Sequence, residues 1–325
     1  MKPAAPEFTL AIDPAHPPAK LARAVYAIGN FDGVHLGHQA VIRRTLALAA
    51  ARGVPAAVLT FEPHPADYFA GRPVVFRITP FAAKAEAVEA LGVNGMAVLS
   101  FDASLANLSA EAFISDVLVR TLGIGAAVIG GDFHFGKSRS GSPAFLAEAG
   151  ARHGFAVDIV AKVEAPDLAA PVSSTEIRRR LESGDVEGAA ALMGRRYAVT
   201  ACVIKGQQLG RTLDTPTANM ALEPTNRLAY GIYAVRAHFG GRAHGGVASW
   251  GVRPTVDNGA PRLETFIFDF SGDLYGRDVK IEFVGRIREE RKFDSLEALK
   301  LAIADDIARA RAILAAEFGV SPQIL

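Results

Sequence analysis

Two histidines, His35 and His38, lie three residues apart in the stretch Gly29-Asn30-Phe31-Asp32-Gly33-Val34-His35-Leu36-Gly37-His38. An apolar run at 24–28 precedes this stretch and predicts a buried strand, and the pattern at 39–48 predicts a helix. The unpaired N–H groups of such a turn and the positive end of the helix dipole suit a phosphate. The spacing places both imidazoles on one side of the helix start. There they could stabilise an oxygen that gains negative charge as a phosphoryl bond breaks.

The elements that must position these histidines alternate between strand-like and helix-like segments. Further strands are predicted at 54–61, 95–101 and 126–130, and helices at 84–91 and 110–122. This alternation predicts a parallel sheet covered on both faces, and ligands bind beyond the carboxyl ends of such strands. Besides the histidine turn, two polar turns follow predicted strands, at Glu62-Pro63-His64-Pro65 and Gly131-Asp132-Phe133. The three turns are expected to meet at one rim of the sheet.

A second helix start lies at Pro171-Val172-Ser173-Ser174-Thr175-Glu176-Ile177-Arg178. Its hydroxyl residues are typical helix caps, and Ile177 continues an apolar helical pattern. By itself this segment is a capped helix. Combined with the histidine turn, it offers a second helix N-terminus, hydroxyl donors and Arg178 for phosphate oxygens.

One motif is predicted to be a coincidence. Residues 131–138 fit the phosphate-binding pattern G-x-x-x-x-G-K-S. However, Phe133, His134 and Phe135 crowd the loop, and the following Arg139-Ser140-Gly141-Ser142-Pro143 prevents a helix from starting directly after Lys137. A P-loop is therefore not expected here.

The second half of the chain has a different pattern. Strands are predicted at 197–205, 230–239, 243–250, 263–270 and 279–284 with no helices between them, which indicates an antiparallel barrel or sandwich. A long helix is predicted at 295–318, and the helix-breaking residues at 182–185 place the domain boundary between 185 and 186. The predicted domains are therefore 1–185 and 186–325.

Two segments of this half could bind a nucleotide and a metal. The segment 205–211 combines Gly206 and Gly210 with Arg211, which suits a phosphate. Pro216-Thr217-Ala218-Asn219 is commonly a turn, but Thr217 and Asn219 also supply the hard oxygen donors that Mg²⁺ prefers.

Composition restricts the function classes. The chain has 325 residues, a net charge of +1 and no basic block, so generic nucleic-acid binding is not indicated. The single cysteine excludes an internal disulfide and a cysteine metal cluster. Glu7 and Asp13 interrupt the N-terminal segment, and apolar runs of about eighteen residues are absent, so neither a signal peptide nor a membrane span is predicted. The expected location is the cytoplasm.

These motifs, in this order, resemble those of the bacterial bifunctional riboflavin kinase/FMN adenylyltransferases, the FAD synthetases. The histidine turn, Pro63-His64-Pro65, the Asp132–Gly136 segment and Ser173-Ser174-Thr175-Glu176-Ile177-Arg178 resemble the nucleotidyltransferase module. The segments at 206–211, 216–219, 251–255 and 274–276 resemble the riboflavin kinase module. The resemblance implies a nucleotidyltransferase domain with a Rossmann-like parallel sheet, followed by an antiparallel β-barrel domain with a C-terminal helix.

The resemblance also implies roles for individual residues. His35 and His38 would stabilise the α-phosphate of ATP, Arg178 would hold the leaving pyrophosphate, and Glu264 would be the general base of the kinase. Other ATP contacts would come from Gly29, Asn30, Asp32, Gly33, Gly37, Asp132, Ser174 and Thr175 in the first half and Gly206, Gly210 and Arg211 in the second. Phe61, His64 and Phe133 would contact the flavin, and Thr217 and Asn219 would bind Mg²⁺.

The activity implied is that of a transferase with small-molecule substrates and two steps. The second domain would convert ATP and riboflavin to FMN and ADP, and the first would convert ATP and FMN to FAD and pyrophosphate. One departure leaves an alternative open: the family usually has Leu-Gly-Phe-Pro where this chain has Leu213-Asp214-Thr215-Pro216. The chain could then be an FMN adenylyltransferase whose barrel is an impaired kinase or only binds flavin. A non-catalytic flavin carrier or sensor is the second alternative, and a weak homo-oligomer is left open.

Overall fold

The computed structural model describes residues 7–165, 170–205, 215–252 and 260–318. The chain divides into two compact units, Met1–Ser174 and Thr175–Leu325. Each unit has its own sheet.

The first unit contains a six-stranded parallel sheet in the order β1-β4-β3-β2-β5-β6. The strands are β1 (Thr9–Ile12), β2 (Val25–Ile28), β3 (Ala56–Glu62), β4 (Gly95–Ser100), β5 (Ala126–Gly130) and β6 (Ala156–Val160). The central strands are continuous apolar runs because both faces of the sheet are covered. Alternate residues of β2 enter different cores: Tyr26 and Ile28 pack on one face, and Val25 and Ala27 on the other.

Helices cover both faces of this sheet. They are α1 (Leu36–Arg52), α2 (Pro65–Ala70), α3 (Phe81–Glu89), α4 (Ala103–Ala106), α5 (Ala110–Ala112), which continues with π-helical hydrogen bonding through Phe113–Thr121, and α6 (Pro143–His153). Single 3-10 turns lie at Ala19–Leu21 and Lys137–Arg139. A two-stranded antiparallel ribbon of β7 (Glu164–Ala165) and β8 (Ala170–Pro171) follows.

The strand order places a crevice beside the histidine turn. From β2 the chain proceeds through β3 to β4 on one side, and β5 and β6 are then added on the other side of β2. The connections after β2 and β5 therefore diverge, and ligands of open α/β sheets bind at such a point.

The second unit is a closed antiparallel barrel, in the order β10-β13-β12-β11-β14-β9. Its strands are β9 (Ala198–Ile204), β10 (Thr217–Met220), β11 (Gly231–Phe239), β12 (Arg242–Val252), β13 (Pro261–Ile267) and β14 (Asp278–Arg288). Helices α7 (Ser174–Ser183) and α8 (Val186–Met193) precede it, and α9 (Leu296–Phe318) packs on it through Ala310 and Leu314. Gly240 and Gly241, both with positive φ, form the two-residue hairpin turn between β11 and β12.

The predicted fold class is therefore confirmed, with differences in detail. The sheet has six strands, and the sequence pattern did not reveal β1 or β6. Strand β1 pairs only with β4 at the edge of the sheet, and half of its residues are exposed, so a buried apolar run is absent. Helix α1 also begins at Leu36, three residues before the predicted start at 39.

In the described parts of the chain, the search for a helix of sufficient length and apolar character to cross a membrane found none.

Candidate active sites

The histidine stretch forms the turn that joins β2 to α1. His35 is the N-cap residue of α1, and its Nδ1 accepts a hydrogen bond from the backbone N–H of His38 at 3.3 Å. The two imidazoles stack with 3.6 Å between ring centroids and an interplanar angle of 16°. Because Nδ1 of His35 is the acceptor, the neutral ring carries its proton on Nε2. The turn thus places both imidazoles at a helix N-terminus on one side, as the spacing predicted, and the structure adds that the two rings stack.

Gly37 is required by the His35 ring. A Cβ atom at this position would lie 3.1 Å from Cε1 and 3.2 Å from Nδ1 of His35. These distances are shorter than ordinary carbon contacts, so a larger residue would displace the imidazole. The absence of a side chain at Gly37 therefore allows the His35 ring to occupy its position.

Asp32 braces the turn. It is 2% exposed, and its carboxylate accepts the backbone N–H of Thr79 at 2.9 Å and of Ile78 at 3.3 Å. The hydroxyl of Thr79 in turn accepts the N–H of Gly33 at 2.8 Å. These contacts hold a backbone in which Phe31, Gly33 and Val34 all have positive φ. The structure gives Asp32 a supporting contact, and its ATP contact stays a prediction.

The second motif meets the first at Ser174. The Ser174 hydroxyl donates a hydrogen bond to the backbone carbonyl of Asp32 at 2.7 Å. The start of α7 is therefore fixed to the histidine turn within the first unit. Thr175 and Arg178 lie in the part of α7 that belongs to the second unit, and their roles stay predictions.

The residues predicted to contact flavin have different surroundings. Phe61 is 8% exposed and belongs to the core, with its ring 6.2 Å from that of Phe101. His64 is half-buried and caps α2, its Nδ1 accepting the N–H of Ala66 at 3.2 Å. Phe133 is half-buried and stacks on Phe135 at 5.5 Å. A flavin contact is sterically easier for His64 and Phe133 than for Phe61, and all three roles stay predictions.

Three further predicted ATP residues, Gly29, Asn30 and Asp132, follow the carboxyl ends of β2 and β5. Asp132 is exposed, directly after β5. The backbone carbonyl of Asn30 accepts a hydrogen bond from the Thr60 hydroxyl at 3.1 Å, and this contact does not use the Asn30 side chain. Gly29 lies directly after β2, where its N–H donates to the carbonyl of Leu59 at 3.1 Å.

The prediction that residues 131–138 do not form a P-loop is confirmed. The helix after Gly136 is a single turn, Lys137–Arg139, in which Ser138 and Arg139 have positive φ. Phe135 and Gly141 pair as an antiparallel bridge on either side of that turn. The backbone therefore closes into a loop that does not open into a helix for phosphate binding.

A buried charged cluster beside the turn was not predicted. Lys84 of α3 is 1% exposed, and its ammonium donates to Glu62 at 2.7 Å and to the Thr60 hydroxyl at 3.3 Å. Arg77 donates two hydrogen bonds to the same carboxylate, at 2.9 and 2.6 Å. Burial alone would raise the pKa of Glu62, but Arg77 and Lys84 outweigh it and hold that pKa below its ordinary value. The sequence indicated this cluster only through Lys84, a single lysine within the alanine-rich helix 81–89.

The barrel brings together the predicted metal ligands and the predicted base. Asn219 on β10 lies directly opposite Glu264 on β13 in the antiparallel register, so their Cβ atoms share one face. The Asn219 amide nitrogen also lies 3.2 Å from the Thr217 hydroxyl. Three oxygen-bearing side chains thus converge on one part of the barrel. Gly206, Gly210, Arg211, Asp214 and the segment 253–255 lie outside the described residues.

A cavity of about 430 Å³ adjoins Thr217 and Asn219. Thr217 and Asn219 lie on its wall with Ile267, Phe270, Leu274 and Tyr275. A mainly apolar cavity with a few polar groups is typical of a small-molecule site. No group of three or more His, Cys, Asp or Glu residues that could hold a metal was found in 7–165, 170–205, 215–252 and 260–318.

A parallel-sheet unit with two histidines at a helix N-terminus, and a barrel with a carboxylate beside hydroxyl and amide groups, are features expected of a two-domain transferase. Family models agree with this class: a FAD synthetase model matches residues 18–176, and a riboflavin kinase model matches residues 193–314.

Relatives of known name cover nearly the whole chain. A bifunctional riboflavin kinase/FMN adenylyltransferase of Pseudomonas fluorescens is 42% identical over 292 residues, 90% of this chain and 93% of the relative. The protein of that name from Escherichia coli K12 is 37% identical over 288 residues, 88% of this chain and 91% of the relative. The chain therefore belongs to the family of bifunctional riboflavin kinase/FMN adenylyltransferases, and the predicted family and enzyme class are confirmed.

A solved structure supports the same fold. A Streptococcus pneumoniae chain described as a macrolide-efflux protein aligns with a TM-score of 0.80 at 29% identity, covering 91% of this chain and 97% of that chain. That description applies to the Streptococcus protein. The comparison shows that its fold is similar to the fold of this chain.

Proposed function

We propose that the chain makes both flavin cofactors: the barrel phosphorylates riboflavin to FMN, and the parallel-sheet unit transfers AMP from ATP to FMN to give FAD and pyrophosphate. The observation that carries this proposal is that each of the two family regions contains an assembled set of polar groups. These are the stacked His35/His38 pair bound to Ser174 through Asp32, and the Asn219/Glu264 pair of the barrel.

In the adenylyl transfer, an FMN phosphate oxygen attacks the α-phosphorus of ATP, and the bond to the β-phosphate oxygen breaks. Nε2–H of His35 and the ring of His38 donate to the α-phosphate oxygens as negative charge develops there. The start of α7 with Arg178 holds the β- and γ-phosphates. Because the Ser174 hydroxyl already donates to Asp32, Ser174 offers its backbone N–H to phosphate. The step needs no covalent intermediate, since positioning and charge are sufficient.

In the phosphorylation, Glu264 accepts the proton of the terminal ribityl hydroxyl, whose oxygen attacks the γ-phosphorus while ADP leaves. Thr217 and Asn219 would hold Mg²⁺ through the Thr217 hydroxyl and the Asn219 amide oxygen, which are hard oxygen donors on neighbouring side chains. Such an ion keeps few protein ligands and binds mainly to phosphate oxygens, which agrees with so small a donor set. When bound, Mg²⁺ would neutralise charge on the phosphates of ATP.

A time course with purified protein tests the whole proposal. Incubation with riboflavin and MgATP should give FMN first and FAD later, as separated by chromatography. His38→Ala should stop FAD formation and leave FMN formation, while Asn219→Ala should stop FMN formation and leave conversion of supplied FMN to FAD. Loss of both activities from either substitution in a folded protein contradicts two independent sites.

The time course also tests the alternatives. An impaired or flavin-binding barrel predicts FAD from FMN but not from riboflavin. This alternative comes from Asp214 and Thr215, of which Asp214 lies outside the described residues. A carrier or sensor predicts flavin binding without ATP turnover. The domain boundary between residues 185 and 186 is likewise a proposal. It lies between the end of the FAD synthetase match at 176 and the start of the riboflavin kinase match at 193. The cytoplasmic location and a weak homo-oligomer are likewise predictions.

A further inference from the structure

A buried hydroxyl at the cavity of the barrel has no role in the proposed mechanism. Thr265 lies within β13, is 0% exposed and lines the cavity. Its Oγ1 makes no hydrogen bond to any residue that the structure describes. A buried polar atom without a partner destabilises a fold, and native proteins retain few of them. A ligand that supplies the missing partner would explain why the hydroxyl is there.

The neighbours of Thr265 cannot supply that partner. In the register of the barrel, Ala218 on β10 and Ala248 on β12 flank Thr265 on either side. Both side chains are single methyl groups with no polar atom, and Ala218 itself lines the cavity. The partner of the hydroxyl must therefore come from outside these two neighbouring strand positions.

The rest of the cavity indicates which kind of ligand would fit. Ile267, Phe270, Leu274 and Tyr275 supply apolar and aromatic wall, which suits a flat ring. Thr217 and Asn219, the proposed magnesium ligands, lie on the same cavity, so the phosphate end of a substrate belongs near them. Thr265 lines the same cavity, opposite Ala218, so a substrate bound there lies near it.

We propose that Oγ1 of Thr265 hydrogen-bonds the edge of a nitrogen heteroaromatic ring held in this cavity, and so contributes to substrate specificity. The proposal rests on the proposed kinase function, whose two substrates each carry such a ring: the adenine of ATP and the isoalloxazine of riboflavin. Both rings have nitrogen or carbonyl groups at their edges, and a hydroxyl can donate to or accept from these.

The test replaces Thr265 by Val, which keeps the shape and removes the hydroxyl, and by Ser, which keeps the hydroxyl. For Thr265→Val we expect the KM of one substrate, ATP or riboflavin, to rise about tenfold, with the other KM and kcat changed less than about twofold. The substrate affected identifies the ring. Ligand-free Thr265→Val should melt at a higher temperature than the wild type, because the unpartnered hydroxyl is gone; the single tryptophan, Trp250, reports this melting from within the barrel. Thr265→Ser should restore the wild-type KM.

Thr200→Val is the matched control, since Thr200 is exposed on β9 of the same barrel; neither KM should change. Unchanged KM values in Thr265→Val overturn the proposal, as does an equal rise in both with a lower melting temperature, which indicates general damage. Should Thr265→Val not fold, Thr265→Ala replaces it with the same expected KM change.

Calorimetric titration of the full chain with MgADP alone and with riboflavin alone separates this proposal from the proposed function. If the wild type makes no FMN, the kinase function fails, and a roughly tenfold loss of binding in Thr265→Val still supports the contact. If both ligands bind wild type and variant equally, the contact is refuted whatever the activity.

Discussion

Removing Glu62 should destabilise the first unit more than removing its partner Lys84. Glu62 is the carboxylate shared by two cations: Lys84 donates to it at 2.7 Å, and Arg77 donates two hydrogen bonds. Glu62→Gln removes the carboxylate to which both cations donate, and leaves Lys84 with the Thr60 hydroxyl at 3.3 Å and a neutral amide oxygen. Lys84→Met instead leaves Glu62 bound by Arg77 and replaces the lysine stem with an apolar chain of similar length.

The expected magnitudes follow from this asymmetry. Removing one member of a buried ion pair costs about 3–5 kcal/mol when the remaining charge has no partner. For Glu62→Gln we expect a loss of about 3 kcal/mol in the free energy of unfolding, because the new amide oxygen still accepts one hydrogen bond. For Lys84→Met we expect about 1 kcal/mol or less, because the glutamate charge stays paired.

The pH dependence of the stability loss in Glu62→Gln provides a second test of this reasoning. Burial lowers the pKa of Lys84 below its ordinary value of 10.5, and the carboxylate of Glu62 opposes this lowering. Without Glu62 that pKa falls further. The part of the loss in Glu62→Gln that comes from Lys84 should therefore be complete below the folded-state pKa of Lys84 in the variant. It should shrink as the pH rises through the wild-type folded-state pKa, which lies below 10.5, because Lys84 is then neutral in both folded proteins.

Urea unfolding followed by far-ultraviolet circular dichroism measures both units. Fluorescence of Trp250, the one tryptophan of the chain, measures the barrel and should not change in either variant. Equal losses in Glu62→Gln and Lys84→Met, or a loss in Glu62→Gln that does not depend on pH, would refute the reasoning. FAD formation from FMN should also fall in Glu62→Gln, since Lys84 supports Thr60 and, through it, the carbonyl of Asn30 in the histidine turn.

Three further predictions concern the two sites and acid stability. Gly37→Ala should reduce FAD formation by about 10–100-fold, because its Cβ would displace the His35 ring 3.1 Å away, while riboflavin phosphorylation stays within about twofold; separate assays of each step check this. Glu264→Gln should reduce FMN formation by about 10²–10⁴-fold and leave FAD formation from supplied FMN unchanged, and equal loss of both would contradict its role as the base. Since the folded-state pKa of Glu62 lies below its ordinary 4.5, its stabilising contribution is complete above pH 4.5 and is lost as pH falls through the folded value; melting curves at decreasing pH should show this decline weakened in Glu62→Gln.

Local patterns were sufficient for much of this molecule. The apolar runs of β2, β3, β4 and β5 predicted the central strands, and the Gly240-Gly241 turn marked a hairpin whose residues need positive φ. The edge strand β1 was not predicted, because pairing on one side only leaves no continuous apolar run. The histidine motif was recognised from its residues, but its stacked rings and the N-cap role of His35 required the coordinates.

The contacts that could not be predicted join residues far apart in the chain. Ser174 reaches Asp32 across 142 residues, and Lys84 reaches Glu62 across 22. Asn219 faces Glu264 only because of the register of β10 against β13, and a shift of one residue would place the two side chains on opposite faces. The same register places Thr265 between two alanines.

The sequence by itself determined the two architectures, the chemistry of the motifs and the family, since strand and helix periods, glycine turns and capping residues act over a few neighbouring positions. Only the tertiary structure decided which of these groups meet. Long-range contacts depend on strand order and register, which arise from the packing of the whole unit and not from any one segment. Hence two histidines on one side of a helix start could be predicted from their spacing, whereas the stacking of their rings, the buried Lys84–Glu62–Arg77 cluster and the unpartnered hydroxyl of Thr265 could not.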